Sequence, residues 1–110
     1  MILKTTKYNI EVYDGMPLKL LREYKIIALE LASEGGSDVE IGLKLYARLL
    51  KVDWFNKLIK KITDKDNKEL DISVLEEMED EKDLAKLEEY FSEAVAKAGV
   101  LLNGGSKKKE

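Results

Sequence analysis

The side chains of this chain that could do chemistry are carboxylates and amines. Asp64, Asp66, Asn67 and Asp71 stand close together, and an acidic run of Glu76, Glu77, Glu79, Asp80, Glu81 and Asp83 follows. Closely spaced oxygen ligands suit calcium, and a calcium loop needs an oxygen side chain at its fifth place, Gly at its sixth and Glu at its twelfth. Counted from Asp64, those places hold Lys68, Glu69 and Leu75, so the pattern fails and a solvated loop is expected. The acidic run falls on several faces of any helix. No pair of its carboxylates is singled out for acid–base work, and a solvated surface is the expectation there too.

The chain has no His and no Cys. That removes the usual general base near neutral pH, Ser-His-Asp and Cys-His catalysis, thiol nucleophiles, disulfides and the common zinc ligands. Neither an enzyme nor a bound cofactor or metal is expected, and no catalytic residue is assigned.

A basic group, Arg48, Lys51, Lys57, Lys60, Lys61 and Lys65, offers a second chemistry, contact with nucleic acid. Two helices meeting near Asp53 would give the outline of a helix-turn-helix. Overall charge argues against it, because the chain has a net charge of −3 and a pI near 5.2. The charge is also polarised. Residues 1–68 hold 13 Lys/Arg against 10 Asp/Glu (+3), and residues 69–110 hold 6 against 12 (−6). Such polarity suits pairing of the basic stretch with the acidic final helices, within one subunit or between neighbours.

The elements that must position these groups are read from periodicity. Residues 2–13 alternate, with Ile2, Thr6, Tyr8, Ile10 and Val12 on one face, predicting a strand, or a hairpin broken at Thr5-Thr6-Lys7. Pro17 suits a first helical position, and Leu20, Tyr24, Ile27 and Leu31 then mark a helix closed by Gly35-Gly36. Ser37 and Glu40 match a capping box. Ile41, Leu45, Leu49 and Val52, widened by Tyr46 and Leu50, form the next stripe, and Trp54, Phe55, Leu58, Ile59 and Ile62 a second. Residues 38–62 therefore read as two amphipathic helices, or one bent near Val52-Asp53, at the centre of the core. A short helix capped at Ser73 follows. The final helix carries Leu84, Leu87, Phe91, Ala94, Val95 and Ala98, with Gly99 as an interruption and Asn103-Gly104-Gly105 as its stop.

The expected fold is mainly α (α+β): an N-terminal strand or hairpin followed by four to five helices in a helical bundle. Residues 1–103 would form one globular domain and 104–110 a flexible tail. No apolar run approaches the ~20 residues that span a bilayer, and no secretory signal is legible, so a cytoplasmic location is expected. Trp54 and Phe55 point about 100° apart on a helix, so one is expected in the core and the other is open to a partner. With Leu58, Tyr90, Phe91 and Val95 they make up the expected partner-binding set.

The order of these features resembles the small tail assembly chaperones of long-tailed bacteriophages of Gram-positive hosts. The resembling stretches are KYNIEVYDG, PLKLLREYKIIALEL, EIGLKLYARLLK, DISVLEEMEDEKDL and LEEYFSEAVAKAGVLL. They cover most of the chain as a layout without an invariant motif. The resemblance implies a non-enzymatic, homo-oligomeric protein of the host cytoplasm that coats the tape measure protein and recruits tail tube subunits. It also implies a second product made by a −1 frameshift, for which the Lys107-Lys108-Lys109 run would supply the adenine-rich message; a plain solvated tail is the favoured reading of that run, with a linker-like remnant as a further one. A small DNA-binding transcriptional regulator is the alternative.

Overall fold

A computed structural model describes residues 1–107 of the chain, with side chains described through Leu101. The N-terminal alternation folds as a hairpin of β1 (Ile2–Lys4) and β2 (Tyr8–Val12). Helices α1 (Leu18–Glu34) and α2 (Asp38–Lys51) follow. The chain then returns to the sheet as β3 (Ile59–Asp64) and β4 (Glu69–Leu70) before the long α3 (Glu81–Lys107). 3₁₀ segments of one and two turns occupy Asn56–Leu58 and Ile72–Glu77.

The expectation of a helical bundle with four or five helices is overturned. The fold is α+β, with three α-helices beside a four-stranded antiparallel sheet of order β1-β2-β3-β4. The error lies between Asp53 and Ile62. Asp53 takes a left-handed conformation, with φ of 57°. The Asp53 amide then donates to Leu50 O and the Trp54 amide to Leu49 O. This is a Schellman closure, which usually recruits Gly. Trp54 and Leu49, the two residues the closure brings together, are both fully buried.

The helix-like spacing of Ile59 and Ile62 has another cause. β3 pairs with β2 through Ile10↔Ile62 and Glu11↔Lys61, but Val12 pairs with Ile59, so Lys60 is an extra residue at a bulge. A bulge converts an i, i+2 apolar spacing into i, i+3 while keeping both side chains on one face. Pairing with β3 also satisfies the edge of β2 that a lone hairpin would leave open.

The β1–β2 turn corrects the N-terminal alternation as well. Leu3 pairs with Ile10 and packs against the core, whereas Ile2 is 53% exposed. The turn is closed by Thr5, whose amide donates to Tyr8 O while its hydroxyl donates to the same carbonyl and accepts from the Tyr8 amide. Inverting the chain over so short a turn moves the odd-numbered Leu3 onto the face of the even-numbered Ile10.

Of the other local expectations, those for the stripe and end of α1 and the start of α2 hold, and those for Pro17, Ser73 and the end of α3 are corrected. The predicted stripe of α1, Leu20, Tyr24, Ile27 and Leu31, is its buried set, and Gly35 caps it in the left-handed region. Ser37 and Glu40 form the capping box of α2. Pro17 caps α1 from just outside it, and Asp71, in place of Ser73, caps the Ile72–Glu77 turn. α3 runs through Gly99 and past Asn103-Gly104-Gly105 to Lys107. The side chains of the expected 104–110 tail, and residues 108–110 altogether, lie outside the described residues. Among the described residues no helix is long and apolar enough to cross a membrane.

One core joins the sheet and the helices: Ile10, Val12 and Ile62 from the strands, the α1 stripe, Leu49, Trp54, Phe55 and Leu58, and Tyr90, Ala94 and Ala98 from α3. Asp83 fastens α3 to the hairpin. Asp80 begins the helix, its carboxylate accepting from the Lys82 and Asp83 amides. The Asp83 carboxylate, only 5% exposed, accepts the Thr6 amide at 3.1 Å on both oxygens. Lys86 Nζ adds a hydrogen bond to Lys4 O at 2.7 Å.

Candidate interaction surface

The end of α2 sets the aromatic centre. Because the Schellman turn reverses the chain at Asp53, Trp54 enters the core, where its indole N–H donates to Leu20 O at 2.9 Å. Its ring packs on Tyr24 (centroids 5.8 Å apart) and edge-on to Phe55 (5.4 Å). Phe55 in turn meets Tyr46 at 5.5 Å and Phe91 at 5.1 Å. The rings form a continuous series from the α1 side of the core outward to the gap between α2 and α3.

Neither ring of the Trp54–Phe55 pair is open to a partner: Trp54 is 0% and Phe55 6% exposed. Leu58 and Tyr90 are buried as well, while Phe91 and Val95 are half-buried against the core. The expected partner set therefore divides. Phe55 and Phe91 line a groove of about 280 Å³ between α2 and α3. Leu58 and Tyr90 line a different cleft, beside Met1 and Tyr13, where the Tyr90 hydroxyl donates to Tyr13 O at 2.8 Å. Burial, and then the neighbouring Asp14 carboxylate, push the Tyr90 phenol up to about 12.

The α2–α3 groove has an apolar floor of Tyr46, Leu50, Phe55 and Phe91, and a rim carrying Asp53, Glu76 and Glu88. None of these three carboxylates takes part in an ion pair among the described residues. An aromatic floor within an acidic rim can hold an apolar side chain whose neighbours are basic.

The basic group is not a surface of this kind. Arg48 binds Glu34 at 2.7 Å and Glu30 at 3.4 Å, Lys57 binds Glu23 at 3.0 Å, and Lys60 pairs with Glu11 at 3.6 Å. The Arg48 guanidinium holds the Glu34 carboxyl below the usual carboxylate range. These partners lie on α1 and β2. The expected pairing of the basic stretch with the acidic final helices does not occur among these contacts. The second helix of the helix-turn-helix outline is strand β3.

Two carboxylates of the suspected calcium loop, Asp64 and Asp71, are likewise spent on structure. Asp64 does not open a calcium loop; its Oδ1 accepts the Asp66 and Lys68 amides, and with Asn67 at φ 66° it closes the β3–β4 hairpin. No cluster of three or more metal-ligating side chains occurs among the described residues.

The sequence reading missed the outer face of α2. Val39, Leu43, Tyr46 and Leu50 are 71%, 68%, 47% and 51% exposed. The signal was available. α2 carries two apolar stripes, with its charges confined to one edge between Glu40 and Lys51. Reading Tyr46 and Leu50 as a broadened core stripe concealed the second. Compared with known proteins, the chain matches no protein-family model, and searches of curated proteins and of solved structures return no match.

Proposed function

We propose that this chain is a non-enzymatic assembly chaperone of phage tail formation. It works as a homo-oligomer and binds helical segments of tape measure and tail tube proteins. The observation that carries this reading is the α2–α3 groove, which joins an aromatic floor to a rim of unpaired carboxylates. A helix laid into it would place an apolar anchor on Tyr46, Leu50 and Phe91 and a Lys or Arg beside Glu76 and Glu88. Burying the exposed parts of Tyr46 and Leu50 alone would contribute about 2 kcal/mol, which suits reversible binding.

The test titrates purified chain with helical segments of the tape measure protein encoded beside it, following anisotropy of a labelled segment. The expected result is saturable binding that Phe91→Ala or Glu76→Gln with Glu88→Gln weakens. A gene lying between those for a tail tube protein and a tape measure protein is the matching genomic expectation. Failure to bind any tape measure segment or tail tube subunit would sink the proposal.

A further inference from the structure

The outer stripe of α2 runs out of the groove: Tyr46 and Leu50 line it, and Val39 and Leu43 lie beyond it. Its positions, 39, 43, 46 and 50, are spaced four, three and four. That is the a/d rhythm of a coiled-coil seam, and it reads the same in both directions. Two copies of α2 laid antiparallel about a two-fold axis between residues 44 and 45 would set Val39 level with Leu50, and Leu43 level with Tyr46, at both ends of the seam.

We infer that α2 is a self-association surface, and that two chains pair through it as an antiparallel, two-fold symmetric dimer. Three observations converge on a second copy as the occupant. The spacing is self-complementary, as an isologous contact requires. The charges are too: α2 begins with Asp38 and Glu40 and ends with Arg48 and Lys51. In this register Glu40 of one copy comes within about 3 Å of the level of Lys51 of the other, on the same side of the seam. Lys44 would otherwise stand near its own counterpart at the axis as a like charge, but Glu34 of α1 pairs with it; Arg48 faces away from the seam, towards Glu30 and Glu34. Finally, Gly42 sits inside the helix at the seam's edge, and, its own turn of helix aside, no atom of the described residues lies within 4 Å of where its Cβ would stand. A glycine weakens the helix at this place, and the open space beside it leaves room for a closely approaching second backbone.

The four exposed side chains present about 400 Å² per copy, so the pair buries about 1,000 Å² once adjoining atoms are counted. That is the lower limit for a specific interface. The dimer is therefore reversible, assembling across micromolar to millimolar concentrations. The inference rests on the homo-oligomeric part of the proposed function; Tyr46 and Leu50 belong to both surfaces, so a second copy and a helix in the groove compete for them.

Sedimentation of the full chain from about 1 µM to 1 mM should show its mass rise from one chain towards two. Leu43→Asp should stay at one chain throughout, with an unchanged circular dichroism spectrum, because Leu43 is two-thirds exposed and does not support the fold. The chain lacks cysteine, so introduced thiols report the register. A mixture of Val39→Cys and Leu50→Cys chains should cross-link on oxidation. Val39→Cys alone should not, since its two thiols would lie about 16 Å apart along the helix axis. A chain that is monomeric at every concentration, a Leu43→Asp variant that associates like the parent, or ready cross-linking of Val39→Cys alone each overturns the inference. Tape measure binding by monomeric Leu43→Asp would leave the groove reading standing by itself. A parent chain that dimerises, beside a monomeric Leu43→Asp chain that binds no such segment, would overturn the groove reading and keep this one.

Discussion

Asp83 offers the sharpest quantitative test of how the sheet and α3 are joined. Its carboxylate is buried at the third position of α3 and accepts the Thr6 amide with both oxygens. Asp83→Ala removes a charge-assisted hydrogen bond worth about 1.5–3 kcal/mol, because the Thr6 amide is left without its acceptor. It also removes a negative charge from the positive end of the helix dipole, worth about 0.5 kcal/mol. The expected loss is about 2–3.5 kcal/mol, a large share of the 5–15 kcal/mol usual for a domain. Asp83→Asn keeps an acceptor oxygen and should lose only about 1 kcal/mol. Urea unfolding, followed by Trp54 fluorescence, would read both variants as lower midpoints at unchanged slope. Hydrogen exchange at the Thr6 amide should lose protection in Asp83→Ala first. If Asp83→Ala lies within about 0.5 kcal/mol of the parent, or matches Asp83→Asn, the pin does not hold the hairpin and the assignment fails.

Two further predictions follow from the aromatic groups. Trp54 is the only tryptophan and is fully buried, so its emission should be blue-shifted and poorly quenched by iodide in the native chain; ready quenching would place it at the surface and contradict the Schellman turn. Tyr90 is held neutral, its folded value of about 12 lying above the ordinary 10. Its stabilising contribution is therefore complete below pH 10 and is lost as pH rises through about 12. Tyr90→Phe should lower stability by about 1 kcal/mol at neutral pH, through loss of the bond to Tyr13 O, and should remove the latest component of an ultraviolet alkaline titration. An unchanged titration would refute the burial of that hydroxyl.

Helix boundaries were legible where local chemistry is sufficient. The α1 stripe, the Gly35 cap and the Ser37–Glu40 box all involve residues within one or two turns of each other, and the chain forms them as the sequence predicts. The stretch after Asp53 was not legible, because its structure depends on partners far away. Ile59 and Ile62 fit a helix by spacing and a bulged strand by spacing, and only the open edge of β2, roughly fifty residues earlier, decides between them. The αL cap was hidden as well, since Asp53 stands where glycine would have signalled it.

The candidate surface shows the same division. The sequence named Phe55 and Phe91, but tertiary packing buried Trp54, Leu58 and Tyr90 and drew Phe55 and Phe91 together with Asp53, Glu76 and Glu88 from three separate segments. Asp83 belongs to the same acidic run as Glu76 and looks no different in the sequence; only the position of the hairpin turn makes it a buried acceptor. By itself, then, the sequence determined the helical stripes of α1, α2 and α3 and the caps between α1 and α2, and it removed histidine and cysteine chemistry outright. Tertiary structure decided that residues 59–64 are strand, which apolar face of α2 is covered, and which carboxylates remain unpaired. Those outcomes depend on contacts between residues distant in sequence, and no local periodicity encodes them.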